Sequence, residues 1–210
     1  APIHGNPRGL VISCGIAPRY SDIDAGAMAA ATIDEAVRNA VCVGVDVDKI
    51  AGLDNFCWPD PIESEKTPDG KFKLAQLVRA NRELERICRA YRLPCVSGKD
   101  SMKNDYGKGP DKISIPPTLL FSLFGDHPDV RNSATSDLKH PGDKLYLVGE
   151  SLEELGASEL AFMMTENGQS AGIGGNVPLL SDPDRLFSSY RALSKAINSG
   201  VVKTAHDCSE

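Results

Sequence analysis

The chain has 210 residues, 41% of them hydrophobic and 25% charged, with a formal net charge of -6. These values fit a globular protein of one large domain or two small ones, and the negative sign argues against a nucleic-acid partner while leaving anionic ligands open to a local site. No apolar run approaches the roughly 20 residues that span a bilayer, and the opening "APIHGNPRG" has no signal-peptide pattern, so the expectation is a cytoplasmic chain with no membrane partner.

"GLVISCGI", Gly9 to Ile16, reads as a buried strand. The alanine-rich stretch that follows predicts a helix from about Asp24 to Val43, since alanine is the best helix former, with Gly44 as its stop. Lys49 to Phe56 reads as a second strand, and the proline-rich, charged "CWPDPIESEKTPDGK" as a surface loop. From Lys71 onward Leu74, Leu77, Val78, Leu84, Ile87, Cys88 and Tyr91 recur at spacings of three and four, which predicts an amphipathic helix ending near Arg92, before Pro94. "CVSG" is a third strand, "KNDYGKGPDK" a polar loop and "TLLFSLFG" a fourth strand. The order is β-α-β-α-β-β, and weak alternation in the strands implies cover on at least one face.

The polar, turn-rich "DHPDVRNSATSDLKHPGD" places a domain boundary near Asp137, dividing the chain into 1–137 and 138–210. A strand is expected at "DKLYLVGES", a short helix around "ELGASELAFMM", and a long glycine-rich loop through "TENGQSAGIGGNVPLLSDPD". Asp182 is placed to cap a further helix, with Pro183 in its first turn and Gly200 past its end. "GVVKTAHDCSE" is expected to open a last strand that stops before its next element, as in an excised or proteolysed piece.

Five stretches carry candidate chemistry. In "DEAVRN", Glu35 and Asn39 are one helical turn apart and project from one face, a spacing that suits a hard cation such as Mg2+ and equally a solvated face. Asp54 and Asn55 end the second strand, where a carboxylate could meet a metal or nucleotide or simply start a turn; Trp58 beside them reads as a packing residue. In "CVSGKDSM", Gly98 permits close backbone approach, Lys99 offers a point charge for phosphate, Asp100 a carboxylate and Ser101 a hydroxyl; the phosphate-loop spacing is absent, and a plain polar turn is the competing reading. In "HDCS", His206 and Asp207 are adjacent, so on a strand they diverge, whereas Asp207 and Ser209 share a face and suit one common ligand. In "GQSAGIGGN", Gly172, Gly174 and Gly175 miss the dinucleotide fingerprint and read as a connection. His4, His127 and His140 lack metal spacing. The six cysteines (Cys14, Cys42, Cys57, Cys88, Cys95 and Cys208) form no Cys-x-x-Cys pair. They read as buried reduced thiols, with a disulfide framework or zinc site as the alternative.

Taken in order, "SCGIAPRYSDID", "IDEAVRNAVCVG", "IAGLDNFCWPDP", "PCVSGKDSMKND", "GASELA" and "AHDCSE" resemble the second synthetase-like half of the phosphoribosylformylglycinamidine synthase family, in the aminoimidazole ribonucleotide synthetase superfamily. The resemblance spans essentially the whole chain; "SGKDSM" with an upstream "EAVRN" is its most specific part, and the family continues "HDCSE" with Gly-Gly. It implies an α/β (α+β) fold. The N-like domain forms a half-barrel with flanking helices, and an incomplete C-like α/β domain follows. It also implies an ATP- and glutamine-dependent reaction. ATP phosphorylates the amide oxygen of formylglycinamide ribonucleotide, ammonia displaces the phosphate, and Mg2+ neutralises the triphosphate.

The resemblance assigns roles position by position. Glu35 and Asn39 match magnesium positions of long-chain members, where this half holds an auxiliary nucleotide; Asp207 matches a magnesium position there, and Ser209 a nucleotide contact. Asp54 and Gly98 match positions that meet ATP in short-chain members. Lys99 replaces a magnesium-binding asparagine of those members. A lysine cannot ligate magnesium, so Lys99 is assigned to phosphate, and Ser101 matches a substrate-contacting serine. No catalytic residue is assigned. The implied partners are the other synthetase-like half, a glutaminase domain or subunit, and a second copy through the half-barrel; the chain holds neither a glutaminase nucleophile nor the half resembling the source of the general-base histidine. Two other readings compete. One is a relative of selenophosphate synthetase or thiamine monophosphate kinase, although their Asp-rich metal motifs are absent. The other is a structural half-barrel module with a vestigial nucleotide site.

Overall fold

The computed structural model describes residues 1–107, 111–166 and 175–209. Among these residues the strands are β1 (Gly9–Ile16), β2 (Ile50–Cys57), β3 (Cys95–Ser101), β4 (Asp105–Tyr106), β5 (Ile113–Ser114) and β6 (Thr118–His127). The helices are α1 (Ala25–Cys42), α2 (Gly70–Ala90), α3 (Glu159–Glu166) and α4 (Pro183–Asn198). Four strands make an open sheet in the order β1-β6-β2-β3, with β6 antiparallel to both neighbours and β2 parallel to β3. The parallel pair is joined through α2, the connection such a pair requires. β4 and β5 form a small hairpin that begins in the stretch expected to be a polar loop and ends just past it.

α1 starts where Asp24 accepts the Gly26 and Ala27 N–H groups at 2.7 and 2.9 Å, satisfying two orphan donors of its first turn. Its alanines are buried all round, as befits a helix lying between a sheet and outer helices. The small residues set the spacing: a Cβ on Gly15 of β1 would lie 2.0 Å from the Thr32 carbonyl oxygen of α1. Met28, Ile33, Val37 and Val41 of α1 and Leu119, Phe121 and Leu123 of β6 are essentially inaccessible and form the core. On α2, Leu77, Leu84, Ile87 and Cys88 join that core, whereas Leu74 and Val78 are 47% and 44% exposed, so the apolar stripe is wider than the face it buries.

The opposite face of the sheet is uncovered, with Ile12 71% and Val96 60% exposed. This is the open sheet with flanking helices expected of a half-barrel, and no closed barrel forms among the described residues. Two expected strands are absent. Residues 143–151 and 201–209 join no ladder, the second making a single bridge, Thr204 to Thr135. Leu145, Tyr146 and Leu147 are at least 68% exposed: β-propensity cannot make a strand where no neighbour accepts its backbone hydrogen bonds. α4 forms as expected, with Asp182 accepting the Arg185 N–H at 3.0 Å and Gly200 at a φ of 75°. It docks on the helical layer. Phe187 stacks on Tyr91 at 5.3 Å, Arg191 pairs with Asp48 at 2.6 Å, and Asn198 donates to the Gly44 carbonyl at 2.9 Å.

Among the described residues no helix is long and apolar enough to cross a membrane. Trp58 is fully buried and donates its indole N–H to the Lys73 carbonyl at 3.0 Å, a packing residue as expected. The thiol expectation needs correction: Cys14, Cys95 and Cys208 are exposed and the others half-buried, all unpaired. The reason is topological for Cys14 and Cys95, which lie on the two edge strands of the sheet. Gly172 and Gly174 lie outside the described residues.

Candidate functional site

The candidate residues fall into two groups at opposite sides of the sheet. One lies on β3 and its neighbour β2 and the other beside β1, so the strands that carry them are two to three strand spacings apart, roughly 10–14 Å.

The first group lies on β2 and β3. The strand expected over "CVSG" runs on through Lys99, Asp100 and Ser101, so the whole polar run is part of β3 and not a turn. Pairing in register sets Asp54 beside Gly98, Asn55 beside Lys99 and Cys57 beside Ser101. Alternation then divides the set. Asp54 lies on the side of β2 that also carries buried Gly52 and Phe56, together with Gly98, whereas Lys99 and Ser101 lie on the open side. A Cβ on Gly98 would come within 2.8 Å of Asp54 Oδ1. Burial raises the Asp54 carboxyl above the usual carboxylate range, and the nearby Asp100 carboxylate adds to the rise. Lys99 and Asp100 are exposed, and the Ser101 hydroxyl is engaged locally with Asn104 at 3.2 Å. The thiols of Cys88 and Cys95 lie 3.9 Å apart near Asp54, and burial pushes both upward.

The second group lies where α1 meets β1 and residues 205–209. Glu35 and Asn39 do share a face, and that face caps the free edge of β1: the Ile16 N–H donates to Glu35 Oε2 at 2.9 Å, and Asn39 Nδ2 donates to the Cys14 carbonyl at 3.2 Å. Unpaired backbone groups on an edge strand invite foreign pairing, and these two side chains satisfy them. The segment 205–209 comes to α1 from a distant part of the chain. Ser209 donates its hydroxyl to the Asp207 carboxylate and accepts from Arg38 Nη2 at 3.2 Å. The Asp207 side chain is only 6% exposed, and its Oδ1 lies 3.4 Å from His206 Nδ1. Asp207 and Ser209 therefore meet as expected, though across a coil and not along one face of a strand.

Sequence reasoning missed the residues beneath this group. Arg38 pairs with Asp34, one turn earlier, at 3.0 Å. Asp34 is 2% exposed and accepts the phenolic hydroxyls of Tyr91 and of Tyr190, the latter at 2.8 Å. Burial drives Tyr91 and Tyr190 strongly upward, and the Asp34 carboxylate adds to it, so both keep their protons. The signal was a charged pair four apart on an otherwise alanine-lined helix, which must find partners if buried.

The donor set of the second group is all oxygen, which fits a hard cation: two carboxylates, Glu35 and Asp207, and the Asn39 carbonyl. Among the described residues no three His, Cys, Asp or Glu side chains meet at one point, so a cation here depends on the asparagine, on water and on phosphate oxygens of its ligand.

No protein-family model matches the chain. The phosphoribosylformylglycinamidine synthase subunit PurL of Deinococcus radiodurans is 32% identical over 99% of the chain and 26% of that protein; the chain thus spans about a quarter of the length of such relatives. In fold, it is similar to T. maritima PurL complexed with FGAR (TM-score 0.64, 14% identity, 97% of this chain and 31% of that one). It is also similar to T. maritima PurL complexed with ADP (TM-score 0.51, 21% identity, 62% and 20%).

Proposed function

The chain belongs to the phosphoribosylformylglycinamidine synthase PurL family, and from that premise we propose that it is the part of such a ligase that holds a magnesium nucleotide and presents a sheet face to the other synthetase-like half. The observation that carries the reading is the 32% identity sustained over 99% of the chain. In this reading Glu35, Asn39 and Asp207 hold the cation and Ser209 contacts the nucleotide. Magnesium there would neutralise phosphate charge. Asp54 and Gly98 serve a separate nucleotide contact on β2 and β3, with Lys99, on the other face of the edge strand β3, reaching its phosphates around the free edge, and Ser101 faces the substrate, formylglycinamide ribonucleotide. Residues 1–137 make the N-like domain and 138–210 begin the C-like one.

ATP or ADP is the nucleotide, ammonia comes from a glutaminase partner, and the compartment is cytoplasmic. The uncovered sheet face, with Ile12 and Val96 exposed, supports a half-barrel that closes on its partner or on a second copy. The chain by itself is expected to make no amidine.

A second reading has its own support. Glu35 and Asn39 are already spent on the β1 edge, as a purely structural half-barrel with a vestigial site would have them. Thermal unfolding with and without Mg2+ and ADP or ATP separates the two. Nucleotide at 100 times its Kd stabilises by about 2.7 kcal/mol, roughly 5–10 °C at this length. A magnesium-dependent shift supports the nucleotide site; its absence at millimolar nucleotide favours the structural module.

A further inference from the structure

We propose that Arg38 is the positioning residue of the second group, a clamp that seats residues 205–209 on α1 and so brings Asp207 to Glu35 and Asn39. This rests on the nucleotide-site reading and deepens it.

The argument begins at Asp34. A carboxylate 2% exposed is tolerated only when its oxygens are paired, and three elements supply the partners: Arg38 on α1, Tyr91 just past α2 and Tyr190 on α4. Asp34 cannot leave this arrangement to ligate a cation, so its remaining effect is to fix Arg38. A guanidinium is a planar fork with several donors. Here Nη1 lies on Asp34 Oδ2 at 3.0 Å, and Nη2 reaches Ser209 Oγ at 3.2 Å. Ser209 in turn donates to the Asp207 carboxylate. Glu35 and Asn39, flanking Arg38 in sequence, are held independently from β1.

The oxygen donors thus come from two distant parts of the chain. Each part has its own anchor, and the hydrogen bond that joins them runs through Arg38.

The test uses the full chain, with amide exchange of residues 205–209 and Mg2+-ADP binding by calorimetry as separate readouts. Arg38→Lys keeps a charge beside Asp34 but loses the fork; Ser209→Ala removes the far end alone and spares the buried cluster, so it reports even if the arginine variant does not fold. Both are expected to speed exchange of 205–209 several-fold while α1 stays protected. Both should also weaken Mg2+-ADP about tenfold, the usual cost of removing a support of a metal site. Glu35→Gln should weaken binding without altering that exchange. Unchanged exchange of 205–209 in both clamp variants overturns the proposal. If the wild-type chain binds no Mg2+-ADP, the nucleotide reading fails, and the exchange comparison still decides whether Arg38 seats the segment.

Discussion

Across the β2–β3 pair, the Asp54 carboxylate faces the Cα of Gly98 so closely that a Cβ there would lie 2.8 Å from Oδ1 and 2.9 Å from Oδ2. The contact explains glycine at 98 on steric grounds, independent of any ligand. Gly98→Ala must displace a half-buried carboxylate or spread two strands, a form of overpacking that costs about 1–3 kcal/mol. Urea denaturation measures it. A neutral result would mean that Asp54 swings freely and that the close approach does not constrain the pair.

Asp54 itself works against stability at neutral pH. Its carboxyl is raised in the folded chain, first by burial and then by Asp100. The sign follows from linkage: a group raised on folding favours the native state below its unfolded pKa, and that advantage is lost as pH climbs through the folded value. Asp54→Asn is therefore expected to raise the urea midpoint at pH 7, with the gain shrinking towards pH 4. In the proposed function the same change weakens nucleotide binding. A variant no more stable at pH 7 would remove the burial argument.

Glu35 has two separable tasks, an acceptor for the Ile16 N–H and a candidate cation ligand. Glu35→Gln keeps an acceptor and is expected to stay within about 0.5 kcal/mol of the parent, while abolishing the magnesium-dependent shift in Tm. Glu35→Ala loses both and should cost about 1 kcal/mol more. If glutamine preserves the magnesium response, the carboxylate is an edge cap only.

The cap of α1 gives an acid-sensitive contribution. Burial would raise Asp24, but the Ala27 N–H, the Arg79 guanidinium and the Gly26 N–H outweigh it, and the carboxyl lies below the ordinary value. The stability it adds is present above about pH 4 and fades as pH falls through the depressed value. Asp24→Ala should cost about 1 kcal/mol at pH 7 and less near pH 3, by thermal melts at each pH.

Cys42 reports on the seating of Asp207. Burial raises its thiol to about 11, with the Asp207 carboxylate adding to the rise. Alkylation of Cys42 at pH 8 should be slow and should accelerate as pH rises to about 11. Asp207→Asn should move the profile to lower pH. A profile indifferent to residue 207 would separate the 205–209 segment from α1.

The local level of this molecule was legible in its residues. The alanine run from 25 to 31, the stripe through Leu77, Leu84 and Ile87, the cap at Asp182 and the glycine at 200 each have a local physical cause, and each produced its element. The strands at 143–151 and 201–209 did not form, because a strand needs a neighbour and no stretch of sequence contains its own. Motif spacing correctly placed Glu35 with Asn39, whereas Asp207 and Ser209 meet across a coil and not on the strand that the spacing assumed. It could not reveal that these lie beside the edge strand β1, away from Asp54 and Gly98 on the β2–β3 pair, because strand order is decided by which faces pack. Nor could it reveal Asp34, Arg38, Tyr91 and Tyr190 as one buried cluster. Their partnership exists only once α4 docks on α1 and α2, when the cost of burying one carboxylate selects the groups that surround it.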